Sequence, residues 1–334
     1  MLPAALLVPP VPDGGSAALL TRVDRSAYDV LTATGPARVP ALPPPHDPLD
    51  APTVGDWLAL DADGAVLELL PRRSLVSRGT TGRGSTAQPL AANVDVVLLC
   101  LGVARSLPLR RLERLLALAW ESGATPVVVL TKADLCRDVE AAYDLVRPHA
   151  PGVEVVAVAA ADGEVAALAP YVRSVLVLLG ASGAGKSTVV NALLGEQVMS
   201  TGDVRHVDGK GRHTTTHREL LVLPTGGVVI DTPGLRGVAL GAGAQDGLAQ
   251  AFADVEELAS ACRFADCGHR SEPGCAVLAS VWAGDVGQDR VDAWRRLQRE
   301  LVYQARRSDA RLRDEHSRRW KAIAREQRSR GGRP

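Results

Sequence analysis

The sequence predicts a multidomain protein. An N-terminal β-barrel of OB-fold type is followed by a central α/β domain with a phosphate loop (P-loop), and then by a helical metal-binding unit. Three observations carry this reading. Between residues 89 and 244, apolar strand-like runs alternate with helical periods, the pattern of a mostly parallel sheet covered on both faces. That stretch holds a GxxxxGK[ST] motif, flanked by TKAD before it and DTPG after it. Downstream, three cysteines and a histidine fall within fourteen residues.

Taken in order, residues 1–20 and 40–50 are proline-rich and expected as flexible or loop chain. The barrel is placed at 21–88, with strands at 28–32, 56–60 and 66–70 and a tight turn at 61–64. A small barrel of this kind is either a nucleic-acid-binding module or a structural cap. In the central domain, strands are expected at 94–101, 126–130, 153–158, 175–179, 220–223 and 228–230. Helices are expected at 110–120, 140–147, 164–173 and 186–194. The unit at 245–334 reads as helical, interrupted by the cysteines and ending in a long Arg-rich helix.

Composition narrows the function classes. A chain of 334 residues holds two or three domains. The proline-broken, uncharged start is neither a signal peptide nor a membrane span, so a cytoplasmic chain is expected. Net charge is zero, yet residues 290–334 carry fifteen Lys and Arg against six Asp and Glu. Such a basic end suits a polyanionic partner or is simply a solvated helix face. Only four of the 38 basic residues are lysines, and two of these, Lys132 and Lys186, stand inside the motifs. A compact ammonium fits between phosphate oxygens where a planar guanidinium does not.

The phosphate loop is the strongest motif: Gly180, Ala181, Ser182, Gly183, Ala184, Gly185, Lys186, Ser187 and Thr188. Its glycines let backbone N–H groups curl around a β-phosphate at the positive end of the following helix. Lys186 neutralises β/γ oxygens and the Ser187 hydroxyl is a ligand for Mg²⁺. Asp231, at a strand end, can hold Mg²⁺ through water, and the Gly234 N–H can sense a γ-phosphate. Thr131, Lys132, Ala133 and Asp134 form the base-reading loop. A carboxylate there accepts two hydrogen bonds from guanine that adenine cannot offer. Ala159 and Ala160 occupy the second base loop, whose backbone N–H groups would meet guanine O6. Together these favour GTP over ATP. Ordinary GTPases run phosphate loop, DxxG, then [NT]KxD, so the order found here marks a circularly permuted GTPase domain.

Switch I must lie within 210–216 (KGRHTTT), where one threonine should complete the Mg²⁺ site; Thr215 is preferred. Leu235 follows Gly234 where many GTPases carry a water-orienting Gln. His213 is the natural polar substitute, its alternative being a loop histidine without chemical role. Cys262, Cys267, His269 and Cys275 form C-x₄-C-x-H-x₅-C, a closed tetrahedral set typical of one structural Zn²⁺ per chain. Cys100 and Cys136 read as packing residues.

At this point the chain resembles the ribosome small-subunit-dependent GTPase A family (RsgA, also called YjeQ). The resemblance runs from about residue 20 into the 290s. It rests on PTVGDW (52–57), LLPRRS (69–74), QPLAANVD (88–95), TKAD, GASGAGKST, GRHTTT (211–216), DTPG and CRFADCGHRSEPGC. It implies an OB-fold, a permuted GTPase domain and a zinc domain. It further implies a partner, the small ribosomal subunit and its rRNA, bound late in assembly and stimulating hydrolysis of GTP to GDP. The same resemblance implicates His213 in catalysis. Departures from the family pattern are Thr131 for Asn, Ala159 for Ser, and the long Arg-rich end. No membrane partner is expected, and the chain is expected as a monomer. The competing readings are a non-catalytic, GTP-dependent rRNA scaffold and, more distantly, a P-loop ATPase or kinase. In the main reading, γ-phosphate loss at Gly234 acts on the zinc unit that follows it in the chain.

Overall fold

The computed structural model describes residues 6–79, 87–104, 107–199, 219–231, 240 and 244–308. His213, Thr215, Gly234 and the chain beyond residue 308 lie outside the described residues.

The N-terminal unit is a five-stranded antiparallel sheet. Its strands are β1 (Ser16–Val23), β2 (Ala27–Thr32), β3 (Gly35–Pro40), β4 (Trp57–Leu60) and β5 (Val66–Leu69), in the order β3-β2-β1-β4-β5. Leu20, Tyr28, Val30, Val39, Leu58 and Leu60 pack its small core. The flexible segment expected to residue 20 therefore ends earlier, because β1 starts at Ser16. The prolines that mask it in the sequence stop at Pro12. The boundary expected at 88/89 falls inside β7 (Ala87–Ala92), which pairs with β6 (Leu75–Gly79) as a hairpin.

The central sheet is six-stranded: β8 (Val96–Gly102), β9 (Thr125–Thr131), β10 (Glu154–Val158), β11 (Val175–Gly180), β12 (Glu219–Val222) and β13 (Val228–Asp231). The order is β10-β9-β8-β11-β13-β12, parallel except for the β12–β13 pair. These strands are near-continuous apolar runs because helices cover them. Helix α1 (Leu109–Glu121) buries Leu112, Leu115, Leu116 and Ala119, the i, i+3, i+4, i+7 stripe its sequence spells. Helices α2 (Val139–Val146) and α3 (Lys186–Leu194) follow β9 and β11.

The helix expected at 164–173 is absent: only a 3₁₀ turn, Ala166–Leu168, forms there. Gly163 takes φ +80° and Ala159 bridges to Glu164, so the chain turns before a helix can start. Pro170 would then remove the N–H that a continuing helix needs.

The chain motifs around residues 52–57, 69–74 and 88–95 form the junction between the N-terminal unit and the central sheet. Asp56, fully buried, receives Arg72 on both oxygens (2.7 and 2.8 Å) and the Thr53 N–H at 2.7 Å. Asn93 accepts from the Arg73 N–H and donates to the Gly55 carbonyl, 2.9 Å each. Asp95 accepts the Val175 N–H at 2.9 Å, tying the junction to β11.

The C-terminal unit comprises α4 (Gln245–Ala251), α5 (Ala253–Ser260), α6 (Ala276–Ala283) and α7 (Gln288–Ser308). It seats on α1, where Gly247 lies so close that a Cβ would stand 2.2 Å from the Ala117 carbonyl oxygen. No helix among the described residues is long and apolar enough to cross a membrane.

Candidate functional site

Each described nucleotide motif sits at the C-terminal end of a parallel strand. The base-reading loop ends β9, the alanine loop ends β10, the phosphate loop ends β11, and Asp231 ends β13. From β8 the chain moves outward to β9 and β10, then returns to β11 on the other side of β8. That reversal between β8 and β11 is a topological switch point, where open α/β sheets bind ligands.

A cavity of about 240 Å³ opens there, lined by Cys100, Gly102, Pro108, Lys132, Ser182 and Gly183 among others. The Lys186 ammonium lies over the loop, donating to the Gly180 and Ala181 carbonyls at 3.1 and 2.8 Å. Burial lowers its pKa; Cys100 and Asp231 oppose this and Arg111 reinforces it. A phosphate in the loop would offset that desolvation cost. The Cys100 thiol is pushed up to about 12 by burial, which fits the packing role expected for it.

Thr131 is the informative departure. Its buried hydroxyl donates to the Ala184 carbonyl at 2.6 Å, joining the base-reading loop to the phosphate loop across 53 positions. Gly185, at φ +83°, leaves room for it, since a Cβ there would stand 3.2 Å from the Thr131 Oγ1. Lys132 is left-handed at φ +61°, and the 3₁₀ turn Ala133–Leu135 carries Asp134 beyond it. In the alanine loop, the Ala159 N–H donates to the Glu164 carbonyl at 3.1 Å. That bond engages the Ala159 N–H, one of the donors expected to face the base.

The second constellation is metal-like in its geometry. One ligand atom each from Cys262, Cys267, His269 and Cys275 lies within 4.8 Å of the others. Cys262 and Cys275 Sγ are 3.8 Å apart, and each is 3.5 Å from His269 Nδ1. Zn–S bonds of about 2.3 Å in a tetrahedron give S···S edges of about 3.8 Å, so these residues fit zinc. Burial raises the Cys262 thiol, but N–H groups of Val277 and Ala276 at the start of α6, together with hydrogen bonds to Cys275 and Cys267, leave its pKa lowered. Burial and then Arg295 lower His269, favouring the neutral imidazole that a metal needs. Its ring packs against Trp294 of α7, centroids 5.3 Å apart.

Sequence reasoning missed two supports of this knuckle. Glu272 accepts the N–H groups of Gly268, Arg270 and Ser271 at 3.0, 2.7 and 2.9 Å, folding the loop around its carboxylate. Arg290, buried on α7, grips Asp254 through two 2.6 Å bonds and stacks on Phe252. It also donates to the Ala251 carbonyl and stands 3.8 Å from the buried Glu113 of α1. Periodicity gives no signal for either: Glu272 closes a local, non-periodic loop, and Arg290 pairs with Asp254, 36 positions away.

A family model described as RsgA GTPase matches residues 69–241. A relative from Streptomyces avermitilis, named small ribosomal subunit biogenesis GTPase RsgA, is 50% identical over 318 residues, 92% of this chain and 86% of that protein. The chain belongs to the RsgA GTPase family. A Streptomyces coelicolor RsgA protein of the same name is 52% identical over 305 residues, covering 89% of this chain and 83% of its own. Among solved structures, YjeQ from Thermotoga maritima superposes with a TM-score of 0.64 at 22% identity, over 86% of this chain and 99% of that one. YloQ, titled a circularly permuted GTPase, gives 0.61 at 22% identity, over 88% and 98%. The fold is thus that of the permuted GTPases, and the RsgA motif order matches it.

Proposed function

We propose that this chain is a GTPase that docks on the small ribosomal subunit and hydrolyses GTP to GDP and phosphate during late subunit maturation, stimulated by that subunit. The supporting observation is the 2.6 Å bond from Thr131 to the Ala184 carbonyl, which joins the TKAD loop to the phosphate loop beside the β8/β11 switch point. The family and the names of its relatives point the same way.

In this reading, backbone N–H groups of Ala181 to Gly185, apart from that of Ala184, cradle the β-phosphate while Lys186 neutralises the β/γ oxygens. The Ala184 N–H donates to the Ala181 carbonyl at 3.2 Å. Asp134 reads guanine N1–H and N2–H₂, and the Ala160 N–H meets O6. Ser187 and Thr215 would hold Mg²⁺, with Asp231 in its outer sphere; the ion, when bound, neutralises charge developing on the phosphates. The Gly234 N–H senses the γ-phosphate, and His213 orients the attacking water in place of a Gln. Zinc staples the C-terminal unit, and the order β3-β2-β1-β4-β5 supports an OB-type barrel as an RNA-facing module.

The test is nucleotide binding and turnover with and without purified small subunits. The expected result is strong preference for GTP over ATP and at least tenfold faster hydrolysis with subunits. Equal affinity for ATP, or unchanged turnover, overturns the proposal. Loss of subunit-stimulated turnover in His213→Ala with GTP binding retained would place His213 in the chemistry.

A further inference from the structure

Outside the nucleotide site, a groove of about 1040 Å³ opens between the start of α1, the metal knuckle and α7. Six arginines line it: Arg110, Arg270, Arg295, Arg296, Arg299 and Arg306. Only two acids accompany them, and both are engaged. Glu272 holds three knuckle N–H groups, while Asp292 takes Gln288 at 2.9 Å and Arg295 at 3.3 Å.

The arrangement on α7 is one helical face. Val291, Trp294, Leu297 and Leu301 are buried, which fixes the rotation of the helix. Positions 295, 299, 302, 303 and 306 then recur at spacings of three and four, turning arginines and Tyr303 to the groove. Tyr303 is 57% exposed and stands between Arg299 and Arg306 along this face. The Nε and Nη2 atoms of Arg295 are buried with no hydrogen-bond partner among the described residues. Those atoms are closed to solvent, so the arginines of α7 open to a ligand are the exposed Arg299 and Arg306 and the half-buried Arg296.

We propose that this groove binds an unpaired RNA strand, with phosphates on the α7 arginines and an unstacked base on the Tyr303 ring. The cavity exceeds what a small metabolite fills, and its arginine row runs ~16 Å along the helix, which suits a polymer. An aromatic ring interleaved with arginines suits a single strand, because a duplex keeps its base faces stacked. Arg110 carries the contact onto α1, whose N-terminal cap Pro108 lines the nucleotide cavity. The inference deepens the proposed function and rests on it for the source of the RNA.

The test uses the full-length, zinc-loaded chain and a fluorescein-labelled twelve-nucleotide oligo-uridine, read by anisotropy over a salt series. Arg296→Ala with Arg299→Ala should weaken binding at least tenfold and flatten the log–log salt slope by about 1.4, two phosphates at about 0.7 each. Tyr303→Ala should weaken it by roughly 5- to 150-fold, the range for one stacked base, while Tyr303→Phe retains it. Zinc content and circular dichroism verify that each variant is folded. Unchanged affinity in either set overturns the proposal. So does a twelve-base-pair RNA duplex binding as tightly as the single strand. Competition by polyglutamate as effective as that by unlabelled RNA would reassign the groove to an acidic protein. Hydrolysis with small subunits is measured on the unmodified chain in parallel. Its stimulation there, alongside failed oligo-uridine binding, would remove the groove and leave the GTPase reading standing.

Discussion

Thr131 stands where the family pattern has Asn, and read as a letter it is a lost amide contact. In the folded chain its hydroxyl supports the phosphate loop through Ala184. Thr131→Val would leave a buried carbonyl unpaired, at a cost of roughly 1–3 kcal/mol. Denaturant unfolding should show that loss, GTP and GDP titrations should weaken together, and Thr131→Ser should restore both. Glu272 is a second residue whose role shows only in the folded loop, where it gathers N–H groups within four positions of itself. N–H groups of Ser271 and Arg270 hold its carboxylate at about 2, against an ordinary value of 4.5. A depressed carboxylate contributes stability in full above its unfolded pKa, and loses it as pH falls through the folded value. The knuckle should therefore keep this support at any pH above about 4.5. Glu272→Gln should release zinc to a chelator several-fold faster at pH 7, measured with a colorimetric zinc indicator. Equal release rates would reduce Glu272 to a surface residue.

Among elements, the apolar strands and α1 were legible because burial on both faces, or on one helical stripe, writes itself into local periodicity. The segment at 164–173 was not, because its alanines and valines read as helix while Gly163 and Pro170 oppose it from either end. β6 and β7 carry Arg, Ser, Gln and Pro, so their pairing depends on the hairpin and the sheet beside them rather than on pattern. α4 shows an element fixed by close approach: Gly247 sits against the Ala117 carbonyl and donates its N–H to Glu121 at 3.2 Å. Gly247→Ala should push α4 off α1 and cost roughly 1–3 kcal/mol by overpacking. A denaturant titration showing no shift would mean that the contact relaxes freely.

At the scale of the molecule, Arg290 ties α7 to α5 and places its charge beside Glu113 of α1. Arg290→Ala leaves buried acidic charge uncompensated and should cost about 3–5 kcal/mol, seen as a lower unfolding midpoint. Arg290→Met, of similar length but uncharged, should fare little better, because Asp254 loses both of its bonds and the buried Glu113 keeps only the His149 imidazole. If motion at the nucleotide is to reach the zinc unit, it has this rigid seat on α1 to act through. Distances between labels on the barrel and on α7 should then differ between GTP-analogue and GDP complexes. Identical distances would discard the coupling expected from Gly234.

By itself the sequence determined the GTPase family, the permuted order of its motifs and the Cys3His set that could hold a metal. Each is a short run of residues whose local spacing dictates what it can hold. The legible part of the site was therefore the phosphate loop, TKAD and the four residues, Cys262, Cys267, His269 and Cys275, that could hold a metal. Only the tertiary structure decided that Thr131 braces the phosphate loop and that Ala159 spends its N–H on Glu164. It also decided that α7 turns a face of arginines toward the knuckle and Arg110. The Thr131 brace and the arginine groove depend on partners tens of positions away, which leave no period in the chain. The Ala159 bond spans only five positions but rests on the left-handed turn at Gly163, which no periodicity displays.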